Sequence, residues 1–105
     1  MFSAETISAK MLDDYIGRSD VLLIDLRDRE AYQRAHIRTA WNIPFGELEE
    51  KEEFPKEKIL IFYCDRGGAS MAAAREMEKK GFQTMTVIGG FDAYRGRNLV
   101  ISGKA

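Results

Sequence analysis

The chain has 105 residues, of which 45% are hydrophobic and 31% charged, and its 16 basic and 17 acidic side chains leave a formal net charge of -1. This length suits one buried core, so we expect a single domain over residues 1–105. The balanced charge gives no reason to expect nucleic acid or an anionic membrane as a partner.

The first half of the chain predicts alternating helices and strands. Apolar residues at helical spacing predict an amphipathic helix in ISAKMLDDYIG, with Ser8 as its cap and Gly17 as its stop. The run VLLID, residues 21–25, is too short for a helix and is typical of a strand buried on both faces. RDREAYQRA predicts a short helix, AWNI before Pro44 a short strand, and FGELEEKEEF an acidic, solvated helical turn or two before Pro55.

The second half continues the alternation. KILIFYC, residues 58–64, predicts another strand buried on both faces. SMAAAREMEKKG is the clearest helix, with Ser70 as its cap, an alanine-rich face, lysines in the last turn and Gly81 at the stop. TMTVIGG predicts an extended segment, and FDAYRG opens a last short helix. This order predicts an α/β fold with a parallel sheet covered on both faces and ligands at the carboxyl ends of the strands.

The sequence shows no targeting or membrane segment. The start lacks the basic flank and apolar run of a secretory signal, and no window reaches the roughly 18 apolar residues of a membrane span. We therefore expect a soluble cytoplasmic protein. The one cysteine cannot form an internal disulfide, which suits a reducing compartment. With one histidine, one cysteine and no ligand spacing, we expect neither a metal nor a cofactor.

The stretch IFYCDRGGAS carries the chemical signal. Cys64 is expected at the end of a central strand, and Gly67 and Gly68 can adopt positive φ and turn several N–H groups inward as an anion-binding nest. The following helix adds the positive end of its dipole, so the loop favours thiolate over thiol. A lone cysteine is more often a buried structural residue, however, and a glycine turn can be a simple connection. The loop alone leaves both interpretations open.

Three ordered motifs give the chain a resemblance to the rhodanese-like family of sulfurtransferases, specifically to its small single-domain members. The first motif, LLIDLRDREAYQRAHIRTAWNIP, matches at Asp25, Arg27, Glu30, Tyr32, His36, Ile37, Ala40, Asn42, Ile43 and Pro44. The active-site loop matches at Cys64, Gly67 and Ser70. The closing segment, KKGFQTMTVIGGFDAY, matches at Gly81, Phe82, Val87, Gly89, Gly90 and Phe91. Together, at compatible spacing, the motifs cover nearly the whole chain.

The resemblance implies a rhodanese-like domain with an about five-stranded, mainly parallel sheet flanked by helices. It also implies that the Cys64 thiolate takes sulfane sulfur from a small donor such as thiosulfate, releasing sulfite, and passes it from a persulfide to a thiophilic acceptor such as cyanide or a thiol. An acceptor protein is a further candidate partner. The substrate-binding loop implied by the family comprises Asp65, Arg66, Gly67, Gly68, Ala69 and Ser70, whose N–H groups would hold the outer sulfur.

The departures from the family pattern define the alternatives. Ala69 stands where a basic residue often precedes the serine, so Arg66 is the only cation in the loop and a dianionic donor is expected to bind weakly. This favours, as the alternative, a low-turnover sulfur-carrier or protein-interaction module. Ala35 and Thr39 replace usual glycines of the first motif. Phosphatases of this fold need an arginine at the place of Ser70 to grip phosphate, which argues against phosphatase activity.

Other polar and aromatic residues have structural interpretations. His36 is expected to make a structural hydrogen bond rather than to act as a base. Asp25 and Arg27, directly after a buried strand, predict an ion pair that fixes the loop. Aromatic residues at the starts of strands and helices are expected in the core rather than in an acceptor pocket: Trp41, Phe45 and Tyr94.

Overall fold

A five-stranded parallel sheet forms the centre of the fold in the computed structural model, which describes residues 5–50 and 53–102. The strands along the chain are β1 (Glu5–Ile7), β2 (Val21–Asp25), β3 (Ala35–Ile37), β4 (Trp41–Asn42), β5 (Ile59–Tyr63), β6 (Gln83–Val87) and β7 (Leu99–Ile101). The central sheet has the order β1-β6-β5-β2-β4, and β3 and β7 form a separate antiparallel pair. The predicted α/β class and parallel five-stranded sheet are confirmed.

Short helices cover both faces of this sheet. They are a 3-10 helix (Met11–Asp14), α1 (Arg29–Arg34), a second 3-10 helix (Phe45–Glu50), α2 (Gly68–Lys79) and α3 (Gly90–Ala93). The face under α2 and the second 3-10 helix buries one apolar cluster that includes Met77 and Leu48. The other face buries a second cluster that includes Leu12 of the first 3-10 helix and Tyr94 after α3. The sheet therefore separates two apolar layers.

The central strand, β5, shows why a continuous apolar run forms a strand rather than a helix. Because side chains alternate across a strand, Leu60 and Phe62 enter the α2 layer while Ile61 and Tyr63 enter the opposite layer. All four are fully buried, and burying one such side chain stabilises the fold by about 1.5–3 kcal/mol. This buried apolar run ends with β5 at Tyr63, and Cys64 is the next residue.

The prediction of a first amphipathic helix is wrong. Ile7 ends β1 and pairs with Val87 of β6, and the following helix is a single 3-10 segment of four residues. Sheet pairing buries Ile7 at the edge of the parallel sheet, which a surface helix at this place would not do. Ser8 Oγ accepts the Met11 N–H at 3.1 Å, but Lys10 occupies the capping position of this helix, and the helix ends at Asp14, before Gly17 with its φ of +90°.

The other predicted elements lie close to their expected places, with three further differences. The pairing of β3 with β7 was not predicted. The acidic segment begins as the second 3-10 helix, while its residues 51 and 52 lie outside the described part of the chain. Tyr94 is buried as expected, but Trp41, in the two-residue edge strand β4, and Phe45, the first residue of the second 3-10 helix, are exposed.

Candidate active site

Cys64 lies between the end of β5 and the start of α2, at the carboxyl edge of the sheet. Its side chain is almost wholly buried, and its Sγ accepts the Gly67 N–H at 3.0 Å and the Ser70 N–H at 3.4 Å. Gly67 can direct its N–H inward because it adopts φ +115°, a conformation that side chains disfavour. The predicted nest therefore exists around the sulfur, which receives two backbone donors at the positive end of a twelve-residue helix.

Ser70 has a different role from the predicted cap. Helix α2 begins two residues earlier, at Gly68, and Gly67 occupies the capping position without a side chain. The buried Ser70 hydroxyl donates to the Gly67 carbonyl at 3.1 Å and contacts Thr86 Oγ1 of β6 at 2.6 Å. Ser70 thus ties the first turn of α2 both to the loop and to the neighbouring strand, which fixes the direction of its N–H toward the sulfur.

Helix α3 holds the loop from the other side. The Phe91 N–H donates to the Cys64 carbonyl at 2.8 Å, and the Asp92 N–H donates to the Asp65 carbonyl at 3.0 Å. Gly90, with φ +62°, makes this approach possible, because a Cβ there would overlap both carbonyl groups, lying 2.7 Å from the Asp65 oxygen. The loop is therefore fixed by backbone contacts on both sides of Cys64.

The predicted ion pair between Asp25 and Arg27 is confirmed, and its guanidinium packs against Phe91 of α3. Arg27 Nη2 lies 2.8 Å from Asp25 Oδ2, both side chains are buried, and the guanidinium stacks 3.8 Å over the Phe91 ring. Burial lowers the pKa of Arg27, but pairing with Asp25 outweighs burial, so the pKa lies above its ordinary value. Burial also raises the pKa of the Tyr63 phenol, and the charge of Asp25 raises it further.

An open pocket with a volume of about 560 Å³ lies over the sulfur. It is lined by Cys64, Asp65, Arg66, Gly68, Ala69 and Asp92. Five of the predicted site residues therefore meet here, while Gly67 and Ser70 contribute N–H groups to the sulfur. Asp92 was missed by the sequence analysis. The signal that could have found it is its place two residues after the Gly89-Gly90 pair that follows β6, at the same carboxyl edge as Cys64.

His36 lies in the β3 pair and does not line this pocket. Its ring stacks on Tyr32 at 3.9 Å between centroids, and Nδ1 lies 2.9 Å from the Tyr32 carbonyl oxygen, which agrees with the expected structural role. Within residues 5–50 and 53–102, no three His, Cys, Asp or Glu side chains are grouped closely enough to hold a metal ion. None of the helices in the described ranges has the length and apolar character needed to cross a bilayer.

Comparison with known proteins identifies related sequences over most of the chain. The family model of the rhodanese-like domain matches residues 8–97. The thiosulfate sulfurtransferase GlpE of Coxiella burnetii is 30% identical over 84 residues, which cover 78% of each chain. The putative sulfur carrier protein YrkF of Bacillus subtilis is 34% identical over 77 residues, which cover 71% of this chain and 42% of that protein.

Solved structures show the same architecture. A rhodanese-related protein from Thermoplasma volcanium superposes with a TM-score of 0.83 at 26% sequence identity, over 91% of this chain and 97% of its own. The similarity therefore extends over most of the fold.

Proposed function

The chain belongs to the rhodanese-like domain family, and on that basis we propose that it is a sulfurtransferase that carries sulfane sulfur on Cys64. One observation carries the proposal. The Cys64 sulfur accepts two backbone N–H groups, from Gly67 and Ser70, at the start of α2. These N–H groups stabilise negative charge on the sulfur before a sulfur donor binds. The same groups therefore stabilise both the attacking thiolate and the persulfide product.

The first half-reaction moves one sulfur atom. The Cys64 thiolate attacks the outer sulfur of a donor such as thiosulfate, a new S–S bond forms at Sγ, and the old S–S bond breaks with its electron pair leaving on sulfite. One negative charge on the thiolate becomes one on the outer persulfide sulfur, and the two charges of thiosulfate leave with sulfite. The step itself transfers no proton, so it needs no general base once the thiolate is the attacking species.

The second half-reaction returns the enzyme to its starting state. A thiophilic acceptor, such as cyanide or a thiolate, attacks the outer sulfur, and the S–S electron pair returns to Cys64 Sγ. The remaining N–H groups of the loop from Asp65 to Ser70 are proposed to hold the outer sulfur meanwhile, which keeps it at the floor of the pocket. Two covalent steps with one enzyme-bound intermediate make a ping-pong scheme.

Intact mass spectrometry tests this proposal directly. Protein incubated with thiosulfate, then freed of donor, is expected to gain one sulfur atom and to lose it on addition of cyanide as thiocyanate forms. Since Cys64 is the only cysteine, Cys64→Ser is expected to abolish both changes without ambiguity. The proposal fails if the parent protein gains no sulfur from thiosulfate, from inorganic polysulfide or from a small-molecule persulfide.

A second candidate function is a sulfur-carrier or docking module with little turnover. It is favoured by Ala69, which leaves Arg66 as the only cation among the loop residues that line the pocket. A carrier would load sulfur but release it slowly to small acceptors. Turnover numbers with cyanide and with dithiothreitol, measured on protein already shown to load sulfur, distinguish the two: repeated turnover supports the enzyme, and a single slow discharge supports the carrier.

A phosphatase is disfavoured by the geometry at the start of α2. The place at which such enzymes need arginine holds the buried Ser70, whose hydroxyl lies against Gly67 and Thr86 rather than in the pocket.

A further inference from the structure

The pocket over Cys64 has an acidic rim. Its lining contains two carboxylates, Asp65 and Asp92, and one guanidinium, Arg66. Arg95, the first cation after Asp92 in the chain, donates to the carbonyl oxygens of Asp92 and Tyr94 and does not line the pocket. One negative charge therefore remains in excess at the mouth, through which any sulfur donor must pass.

The only cation of the lining is already engaged. Arg66 Nε lies 3.4 Å from Asp92 Oδ2, with both side chains exposed at 88% and 57%. Asp65 makes no ion pair within the described ranges of the chain. Asp92 thus has two effects on an incoming anion, because it repels the anion itself and it draws the guanidinium toward its own carboxylate.

We propose that Asp92 is a specificity-determining residue that disfavours dianionic donors and makes small-thiol persulfides, with a neutral or cationic carrying group, the preferred sulfur source. This inference rests on the proposed sulfurtransferase function and names its donor class. Thiosulfate carries two negative charges, and the carboxylates of Asp65 and Asp92 at the pocket opening repel it before it can reach the N–H groups around the sulfur. A persulfide of an aminothiol brings at most one negative charge, and its ammonium group matches the carboxylate of Asp65, which interacts with the buried Arg27 but forms no close ion pair within the described ranges.

The chemistry with such a donor balances in the same way as with thiosulfate. The Cys64 thiolate attacks the outer sulfur of R–S–SH, the new S–S bond forms at Sγ, and the old S–S bond breaks with its electrons on the leaving thiolate R–S⁻. The proton stays on the transferred sulfur or exchanges with solvent. No oxidant or reductant is consumed, because the sulfane sulfur only changes its partner.

Asp92→Asn provides the test, with Glu76→Gln as the matched control. Glu76 is also an exposed carboxylate in an ion pair, 4.0 Å from Lys79, but it does not line the pocket. The measured quantity is the rate of sulfur loading under single-turnover conditions, by intact mass, with thiosulfate and with cysteamine persulfide. For Asp92→Asn we expect a rise of about fivefold with thiosulfate at low ionic strength and less than about twofold change with cysteamine persulfide.

Two further arms make the outcome specific. The gain with thiosulfate should shrink in high salt, because exposed charges are screened there. When Asp92→Asn is combined with Arg66→Gln, the gain in loading rate with thiosulfate should be largely lost. The main source of that gain is the Arg66 guanidinium that loss of the Asp92 carboxylate releases. Equal changes with both donors, or the same gain in Glu76→Gln, overturn the inference while leaving the sulfurtransferase intact. Failure of the parent protein to load sulfur from either donor instead overturns the proposed function, and the inference with it.

Discussion

Gly90→Ala is the substitution in which the fold and the candidate site are most directly coupled. Gly90 has φ +62°, and a Cβ there would overlap the carbonyl oxygens of Cys64 and Asp65, which accept the Phe91 and Asp92 N–H groups. The left-handed conformation alone costs alanine about 1–2 kcal/mol. Moving α3 away to relieve the overlap weakens two backbone hydrogen bonds worth about 1 kcal/mol each.

The expected loss of unfolding free energy is therefore about 3 kcal/mol, which corresponds to a fall in Tm of roughly 15 °C for a chain of this size. The retreat of α3 also releases the loop, and a displacement of about 1 Å at a reacting atom can slow a reaction a hundredfold. We expect both effects together in thermal unfolding followed by circular dichroism and in sulfur loading followed by intact mass.

Gly46→Ala is the matched control, since a Cβ at Gly46 meets no atom within 4 Å and its φ is not positive. It should change the free energy of unfolding by less than about 0.5 kcal/mol. If Gly90→Ala melts within about 3 °C of the parent protein and loads sulfur at the parent rate, then α3 does not hold the loop as described.

Two further substitutions test a strained backbone position and a buried hydrogen bond of the fold. Thr39 is the only non-glycine residue with positive φ, at +74°, among those described; Thr39→Gly should therefore raise the free energy of unfolding by about 1 kcal/mol in urea titrations, and a decrease would contradict the strain. Tyr63→Phe removes the oxygen that accepts the buried Ile37 N–H at 3.1 Å and should cost about 1–3 kcal/mol at pH 8. Burial raises the pKa of Tyr63 in the folded protein, so the stability that its protonated phenol contributes is intact below the unfolded pKa of about 10 and is lost progressively as the pH rises above that value. The difference in unfolding free energy between the parent protein and Tyr63→Phe should therefore narrow by about 1.4 kcal/mol at pH 11. An unchanged difference would contradict this.

Much of the sheet was predictable because its strands are locally distinctive. β2 and β5 are continuous branched and aromatic runs buried on both faces, and a helix of that length would not bury them. β1 was missed for the opposite reason: it has three residues, two of them exposed, and its Ile7 also fits the helical spacing of Met11 and Leu12. Only the distant partner β6 decides its conformation, and a local pattern contains no information on that partner.

The site was predictable where it depends on neighbouring residues and unpredictable where it depends on another element. The glycine pair after Cys64 and the helix that follows correctly indicated backbone donors around the sulfur. The cap of α2 was placed three residues late because a serine is the usual cap, whereas Gly67 serves here and Ser70 bonds to Thr86 across the fold. Asp92 reaches the pocket only through the docking of α3, so its presence there could not be predicted from the loop sequence.

The docking of α3 also determines when the cysteine acquires its surroundings during synthesis. The loop around Cys64 is held by donors from residues 91 and 92, which are translated 27 or more positions later. At about 5–20 residues per second, the thiol is made roughly one to six seconds before the helix that restrains its loop. Until then the loop lacks the two backbone hydrogen bonds that α3 donates to it. The loop therefore receives its last two restraints from a distant part of the chain, whereas the N–H groups that face the sulfur come from Gly67 and Ser70, within six residues of Cys64.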